Sequence, residues 1–357
     1  MQVRNGARVL RWPLVLLGAV LVVLALQWTR GVTLPLALAT FIIALAWPVQ
    51  LWLERSLPRW LAYIGTCLCV LAFFVAFVGL LWTGVNLVGQ GIAQYRDSLD
   101  QSWFDLLRWA RRNGVTLPST QIEEMDIAPL LSVLRVTLEE LYSAVGVLGL
   151  TLVFLILGLI ETRSFGSKLQ RLPQGTKLQL AAEEIGQKFR RYMLVRTFVS
   201  IVTGVLTWAF ALIIGLELAL TWGMIAFVLN YIPFVGSILA IVPPVLFAAV
   251  QSGDWSFSIL TFVGMAAIQI TMGNYVDPRL EGRALALSPL VVVVSIFFWG
   301  LVWGVPGAFI GVPLTIGIAT ACSRFEATRW LALLLSNLPP QAIAEEPEEL
   351  ERKSAAE

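Results

Sequence analysis

Histidine is absent from the 357 residues, cysteine occurs three times, and charged residues make up only 13% of the chain. Without histidine there is no imidazole to act as a general base or proton relay, so proton coupling would have to use carboxylates. Cys67, Cys69 and Cys322 lie in or beside apolar runs, which indicates neither a disulfide framework nor a zinc site. The sequence therefore predicts no cofactor and no metal centre.

Motifs for nucleotide chemistry and for catalysis are absent as well. The sequence has no phosphate-binding loop of the type GxxxxGK[ST], which argues against ATP hydrolysis by this chain. No nucleophile with a neighbouring base occurs at a usable spacing, so an enzyme is the function class that the residues favour least. The formal net charge of +2 carries little information in a chain of this composition, and no nucleic-acid partner is predicted.

Apolar residues make up 58% of the chain, and the mean hydropathy is +0.80. These values are typical of an integral membrane protein whose main partner is the lipid bilayer. The apolar runs predict an all-α polytopic fold with about six full transmembrane helices and two helical hairpins broken by proline and glycine, or about eight membrane segments. An external helical insert and a cytoplasmic amphipathic helix complete the predicted fold.

Charge placement divides the chain and orients it. Basic residues cluster after Glu161, and by the positive-inside rule that segment and both termini face the cytoplasm. A solvated linker is the alternative to an amphipathic helix there. The predicted segments are 1–88 with transmembrane helices 1–3, 89–140 as the extracytoplasmic insert, 141–161 as helix 4, 162–196 as the basic linker, 197–323 as the core with both hairpins, and 324–357 as an acidic, disordered tail.

Two uncharged stretches, residues 218–253 and 284–323, are too long for one span. As straight helices they would reach about 50 Å or more, against about 30 Å of hydrocarbon. Each has a cluster of helix breakers near its middle, so each is predicted to be a helical hairpin. Whether each stretch re-enters on its own side or crosses fully remains open. Both follow a full span, as in inverted-repeat transporters that bind solute where broken segments meet, although convergent helix breaking is the alternative.

Polar residues at the first break are the leading candidates for a solute or ion pathway. Asn230 and Tyr231, beside Pro233 and Gly236, could bond a small polar solute or line an ion path, or they could satisfy carbonyls released by the break. The second break contributes Pro306, Gly307 and Gly311. Before it stand Trp299 and Trp303, which could gate the path or anchor the chain at the membrane interface.

Amides and acids near the predicted seventh span are further candidates. Gln269 and Asn274 could face the same cavity or bond between helices. Asp277 and Glu281, near Arg279 and Arg283, could form a proton or cation relay, or a structural cluster of ion pairs. Glu217 is a possible proton carrier, with a turn residue as the alternative.

Three motifs resemble the AI-2E (autoinducer-2 exporter) transporter family. They are LNYIPFVG at 229–236, DPRLEG at 277–282 followed by LSP at 287–289, and WG at 299–300 leading to GVPG at 304–307 and GVP at 311–313. The resemblance covers residues 178–322. Glu217 departs from the family, which more often has proline at this turn.

The resemblance implies a bacterial inner-membrane protein, homo-oligomeric with a pentamer as the candidate subunit count. It further implies secondary export of a small polar solute, the quorum-sensing furanone autoinducer-2. Some family members are instead linked to sodium–proton antiport, so a monovalent cation is the alternative substrate. A scaffold that captures partners without transport is a third hypothesis. Family membership therefore indicates the fold more firmly than the substrate.

Overall fold

The computed structural model describes residues 17–94, 108, 112, 128–171, 174–253, 255–281 and 287–336. The N-terminal arginines, most of the predicted external insert, Asp254, residues 282–286 and the acidic tail lie outside these residues. Within them the chain is helical apart from turns and one isolated antiparallel bridge between Leu287 and Ser336. The predicted all-α class is confirmed.

The helices follow one another along the chain with short connections. A five-residue π-helix, Met272–Val276, joins α8 to α9. The α-helices are α1 Leu17–Trp28, α2 Arg30–Glu54, α3 Arg59–Gln94, α4 Ala128–Leu169, α5 Gly175–Ile213, α6 Ala219–Leu229, α7 Val235–Ser252, α8 Trp255–Thr271, α9 Asp277–Glu281, α10 Pro289–Ser323 and α11 Arg329–Leu335.

Seven helices of the described chain are long and apolar enough to cross a membrane, and α1 and α6 are shorter apolar helices. Large apolar side chains on them are exposed, including Leu68, Ile213 and Leu301. In water such surfaces would promote aggregation, whereas lipid solvates them. The protein is therefore a multi-pass membrane protein.

Helix α5 is longer than the predicted fifth span. It runs without interruption for 39 residues, about 58 Å, and so joins the basic segment to the following span. Residues 175–213 contain no proline, and neither Gly186 nor Gly204 stops the helix. Because no strong breaker separates the two segments, one helix contains both.

The chain forms two compact units. The terminal unit consists of Met1–Leu68, Gly146–Arg190 and Arg283–Glu357; the central unit consists of Cys69–Val145 and Arg191–Gly282. The first broken hairpin belongs to the central unit, and the second belongs to the terminal unit.

In the central unit, α6 and α7 pack against each other as the first hairpin. The rings of Trp222 and Phe247 lie 5.5 Å apart in an apolar core that also contains Val88, Ala211 and Met265. The connection spans residues 230–234. Contacts near both ends of the pair show that the legs run antiparallel, so the chain returns to the side from which it entered.

In the terminal unit, α10 is bent back on itself at Gly304, where φ is 70° and ψ is −154°. A Cβ atom on Gly307 would lie 2.1 Å from the Trp299 carbonyl oxygen, and one on Gly311 would lie 3.0 Å from the Ser295 carbonyl oxygen. The two legs therefore run antiparallel in close contact, and both predicted hairpins are confirmed.

Also in the terminal unit, α1 and α2 meet at a sharp bend at Thr29. The Thr33 hydroxyl donates to the Leu26 carbonyl oxygen at 3.1 Å, although seven residues of straight helix would span about 10 Å. The contact therefore requires the chain to bend between them.

Candidate functional site

The first helix break is built around Pro233 and Gly236. Proline has no N–H to donate to the Leu229 carbonyl, four residues earlier. The Ile232 N–H donates to that carbonyl instead, at 3.0 Å. A Cβ atom on Gly236 would lie 1.7 Å from the same oxygen, so only glycine fits there. Phe234 has a φ of 60° and a ψ of −56°, a conformation that costs free energy for a non-glycine residue.

Asn230 and Tyr231 are directed at α5. The Asn230 side-chain amide donates to the Ser200 hydroxyl at 3.2 Å, and the Tyr231 hydroxyl donates to the Thr197 hydroxyl at 3.0 Å. Asn230 is 6% exposed and Tyr231 is 2% exposed. These bonds tie the break to a neighbouring helix instead of to the carbonyls that the break releases.

The Tyr231 ring is held from two directions. The rings of Phe77 and Phe227 each lie 5.6 Å from it in edge-to-face arrangements. Such pairs favour one ring orientation. The phenol is therefore a fixed part of the break.

Asp277 forms a buried ion pair with Arg196 of α5. Arg196 Nη1 lies 2.7 Å from Asp277 Oδ2, and the residues are 5% and 8% exposed. The guanidinium also lies over the Tyr192 ring, 5.6 Å from its centroid. Arg196 is the last residue of the segment 162–196 that the sequence predicts to be a cytoplasmic basic linker, but the structure buries it against an acid.

Arg196, Thr197, Ser200 and Thr203 form one face of α5, here called the α5 polar face. Residues four apart on a helix are surface neighbours, with Cβ atoms about 6 Å apart. Arg196 and Ser200 therefore occupy adjacent turns of the same face. Because Arg196 binds Asp277 and Ser200 binds Asn230, this face brings the acid close to the broken helix.

The π-helix determines which way Asp277 faces. The buried residues of this segment advance by three or four until the last step, which is five, in the order Ser258, Thr261, Met265, Gln269, Met272 and Asp277. A π-helical turn contains one extra residue, and such turns are frequent at functional sites. The extra residue keeps Asp277 on the buried face that contains Gln269.

The buried face that contains Gln269 and Asp277 carries hydrogen-bond acceptors that are not used within the described chain. Gln269 Oε1 and Asp277 Oδ1 are buried and have no hydrogen-bond partner among the described residues. Buried oxygens of this kind are costly to leave unbonded. Both can accept a hydrogen bond from a solute or coordinate a cation.

Other candidate residues are placed elsewhere. Asn274 and the Glu217 side chain are exposed. The Glu217 backbone N–H donates to Gln251 Oε1 at 2.9 Å, and its carbonyl accepts from the Trp222 indole at 2.9 Å. Glu281 ends α9. Arg279 is exposed, and Arg283 lies outside the described residues.

The second break, in the terminal unit, is lined by aromatic rings and hydroxyls. The rings of Trp299 and Trp303 stack at 4.8 Å. The Trp299 indole donates to the Thr315 hydroxyl at 3.2 Å, and the Trp303 indole donates to the Thr33 hydroxyl at 3.1 Å. Pro306, Gly307 and Gly311 follow on the second leg. Both tryptophans are buried, so they pack inside the unit.

Sequence reasoning missed the partners of these residues, above all Arg196, Thr197 and Ser200. A signal was present, because hydroxyl residues recur at 197, 200, 203 and 207 on an otherwise apolar span. This spacing indicates a polar helix face. In the described part of the chain, no group of three or more His, Cys, Asp or Glu could hold a metal ion.

Comparison with known proteins agrees with this architecture. The profile of the AI-2E family transporters matches residues 14–326. The chain is 29% identical over 338 residues to the AI-2 transport protein TqsA of Escherichia coli K12, covering 94% of this chain and 97% of that protein. It is 28% identical over 335 residues to a protein of Haemophilus influenzae that is named as a candidate transport protein, covering 90% and 95%. These proteins are described as transporters and not as enzymes.

Proposed function

Since the chain belongs to the AI-2E family of transporters, we propose that it is a secondary transporter that exports a small polar solute such as autoinducer-2. The observation that carries this proposal is the α5 polar face, which joins the broken helix at Asn230 to the buried Asp277. Polar residues inside a membrane protein are costly and mark solute or ion pathways.

The hydrogen bonds of this face suit a hydroxylated solute. The Asn230 amide donates to the Ser200 hydroxyl, and the Tyr231 hydroxyl donates to the Thr197 hydroxyl, so these polar groups have partners within the protein. Each can exchange its partner for a solute hydroxyl at small net cost. Gln269 Oε1 and Asp277 Oδ1 add acceptors that such a solute can use.

Transport would be driven by a gradient or by downhill flow, because the sequence has no phosphate-binding loop. The test uses the purified chain in proteoliposomes loaded with autoinducer-2. We expect efflux that depends on the protein, measured with and without imposed proton and sodium gradients. No protein-dependent flux under any gradient would exclude this solute.

Variants of the first break test its role. Asn230→Ala and Tyr231→Phe should each raise the solute concentration for half-maximal flux by about threefold to tenfold, the effect of one hydrogen bond. The matched control is Asn86→Ala, because Asn86 donates only to the Trp82 carbonyl of its own helix in the hydrogen bonds described, at 2.8 Å. Equal flux parameters for all three variants would remove the first break from the pathway.

The second candidate function is sodium–proton antiport, favoured by the unbonded Asp277 Oδ1. A buried carboxylate oxygen can bind a proton or a monovalent cation. The test neutralises Glu217, Asp277 and Glu281 together, with Arg196→Gln added so that no buried charge is left unpaired. Unchanged sodium-dependent proton movement in that variant would exclude antiport through these acids.

We further propose that the protein lies in the bacterial inner membrane as a homo-oligomer, with a pentamer as the candidate subunit count. The family supports this proposal, and native mass spectrometry in detergent tests it. A monomer at all concentrations would contradict it. The scaffold hypothesis depends on the insert at 89–140, which lies largely outside the described residues, and on the cytoplasmic basic helix; no contact among the described residues favours it.

A further inference from the structure

The tip of the second hairpin has contacts with the bend between α1 and α2. The Gln27 side-chain amide donates to the Leu301 carbonyl oxygen at 3.2 Å. The Thr33 hydroxyl accepts from the Trp303 indole at 3.1 Å. Gln27 and Thr33 flank the bend at Thr29, while Leu301 and Trp303 directly precede Gly304, where the hairpin turns.

These contacts matter because the tip is where a broken helix has the fewest backbone hydrogen bonds of its own. Carbonyls at the end of a helical leg have no intrahelical partner, and in lipid such groups need a partner from the protein. The Gln27 amide supplies one at Leu301. The Thr33 hydroxyl is fixed in turn, since it also lies 3.1 Å from the Leu26 and Thr29 carbonyl oxygens. The bend therefore presents one donor and one acceptor at defined positions.

We propose that Gln27 and Thr33 are positioning residues that clamp the tip of the second hairpin through Leu301 and Trp303. They do not bind solute; they hold the stacked Trp299 and Trp303 rings and the turn at Gly304 in one arrangement. Their effect on flux presupposes the transport function proposed above, whereas their effect on the accessibility of the tip does not.

The first experiment measures the tip directly. In a chain purified in detergent with Cys67, Cys69 and Cys322 replaced by alanine, Val305→Cys places a thiol at the residue after Gly304, whose side chain is exposed when no bilayer covers it. Its rate of reaction with a small maleimide is compared in the parent, Thr33→Val and Gln27→Leu. We expect each loss of a hydrogen bond to raise the labelling rate by about fivefold. Labelling rates equal to the parent in both variants would overturn the clamp.

The matched control is Thr40→Val. Thr40 lies on α2 as Thr33 does, and its hydroxyl donates to the Leu36 carbonyl of its own helix at 2.8 Å. It should leave the labelling rate unchanged. An equal rise in Thr40→Val and Thr33→Val would show that loss of any hydroxyl on α2 loosens the tip, which contradicts the proposal.

Conservative rescue and a double-mutant cycle separate positioning from general stability. Thr33→Ser keeps the hydroxyl and should label like the parent; labelling like Thr33→Val would overturn the proposed bond. Trp303→Phe removes the other partner, so Thr33→Val combined with Trp303→Phe should be no faster than the faster single variant. Additive effects would show that the two residues act separately.

Flux in proteoliposomes distinguishes failure of the clamp from failure of the transport proposal. If the parent shows no flux, the proposed function fails while the labelling experiment still decides the clamp. If the parent transports solute, Thr33→Val should lower the maximal flux about fivefold with an unchanged half-saturating concentration. A changed half-saturating concentration with unchanged maximal flux would place Thr33 in the binding site and overturn its positioning role.

Discussion

The ion pair between Arg196 and Asp277 shows how strongly one buried contact can constrain the central unit. Removing one partner of a buried pair leaves an uncompensated charge and costs about 3–5 kcal/mol. We therefore expect Asp277→Asn to lower the free energy of unfolding by about that amount. Titration of the purified protein with sodium dodecyl sulfate measures it.

The same chain offers an exposed pair as the control. Arg135 and Glu139 lie 2.9 Å apart with side chains 81% and 63% exposed, and exposed pairs contribute little. Glu139→Gln should leave unfolding almost unchanged. Replacing both buried partners, as Arg196→Met with Asp277→Leu, should recover much of the loss, because apolar pairs can replace buried ion pairs. A loss in that double variant equal to the loss in Asp277→Asn would contradict the charge explanation.

The close approach of Gly236 to the Leu229 carbonyl leads to a second prediction about a single residue. A methyl group there would collide with the Leu229 carbonyl oxygen, so the turn must open to accept it. We expect Gly236→Ala to lower the free energy of unfolding by about 1–3 kcal/mol, the usual cost of overpacking. Gly79→Ala is the control, since a Cβ at Gly79 meets no atom within 4 Å. Equal stability of the two variants would contradict the close approach.

At the scale of helices, a proline in α2 leaves a backbone carbonyl without its helical donor, and an arginine of α5 donates to that carbonyl. Pro48 cannot donate to the Ala44 carbonyl, four residues earlier, and Arg190 Nη1 donates to that oxygen at 2.9 Å. The guanidinium replaces the missing backbone donor. Arg190→Met should therefore lower the free energy of unfolding by about 1.5–3 kcal/mol, the value for a hydrogen bond to a charged group.

A double-mutant cycle checks this explanation. In a Pro48→Ala background the Ala44 carbonyl regains a helical partner, so Arg190→Met should cost clearly less than it does in the parent. Sodium dodecyl sulfate titration of the four proteins gives the coupling energy. Identical costs in the two backgrounds would mean that Arg190 does not replace the missing N–H group.

The π-helix at Met272–Val276 leads to a prediction about the helical register that directs Asp277 toward Arg196. Deleting Gly273 removes the extra residue of the turn and leaves Asp277 seven positions after α8 residue Gln269, on the same face of a regular helix. Inserting one alanine after Gly273 turns Asp277 by about 100° instead.

We expect the insertion to lower the free energy of unfolding about as much as Asp277→Asn does, because it separates Asp277 from Arg196. The deletion should lower it less. The free energies of unfolding of the two length variants are compared directly. A deletion that costs more than the insertion would contradict the assigned register.

For the whole molecule, sequence predicted local features well and distant contacts poorly. The two breaks were predictable because Pro233, Gly236, Gly304 and Pro306 act on the backbone where they stand. The partners of Asn230 and Asp277 were not, since they depend on how α5 packs. Arg196 illustrates the difference: its charge suggested a cytoplasmic surface, and only packing shows that it pairs with an acid 81 residues away.

Antiparallel legs in both hairpins also lead to a prediction about membrane topology. Each broken stretch returns to the side it came from, so Glu217 before α6 and Ser252 at the end of α7 should face the same side. By the positive-inside rule we expect the basic segment at 162–196, which includes the first part of α5, to face the cytoplasm, and these two residues should then face outside. With that orientation, α8 should return the chain to the cytoplasm, and Glu326 after α10 should face the cytoplasm.

Single cysteines introduced into the chain that lacks its three native cysteines test this arrangement. They are labelled on intact cells with a maleimide that does not cross the membrane. Glu217→Cys and Ser252→Cys should react, because both positions are exposed, while Glu326→Cys should react only after the membrane is permeabilised. If each broken stretch crossed the membrane once, Glu217→Cys and Ser252→Cys would react from opposite sides. Such opposite labelling would contradict the first hairpin, since antiparallel legs cannot place their two outer ends on different faces of the bilayer.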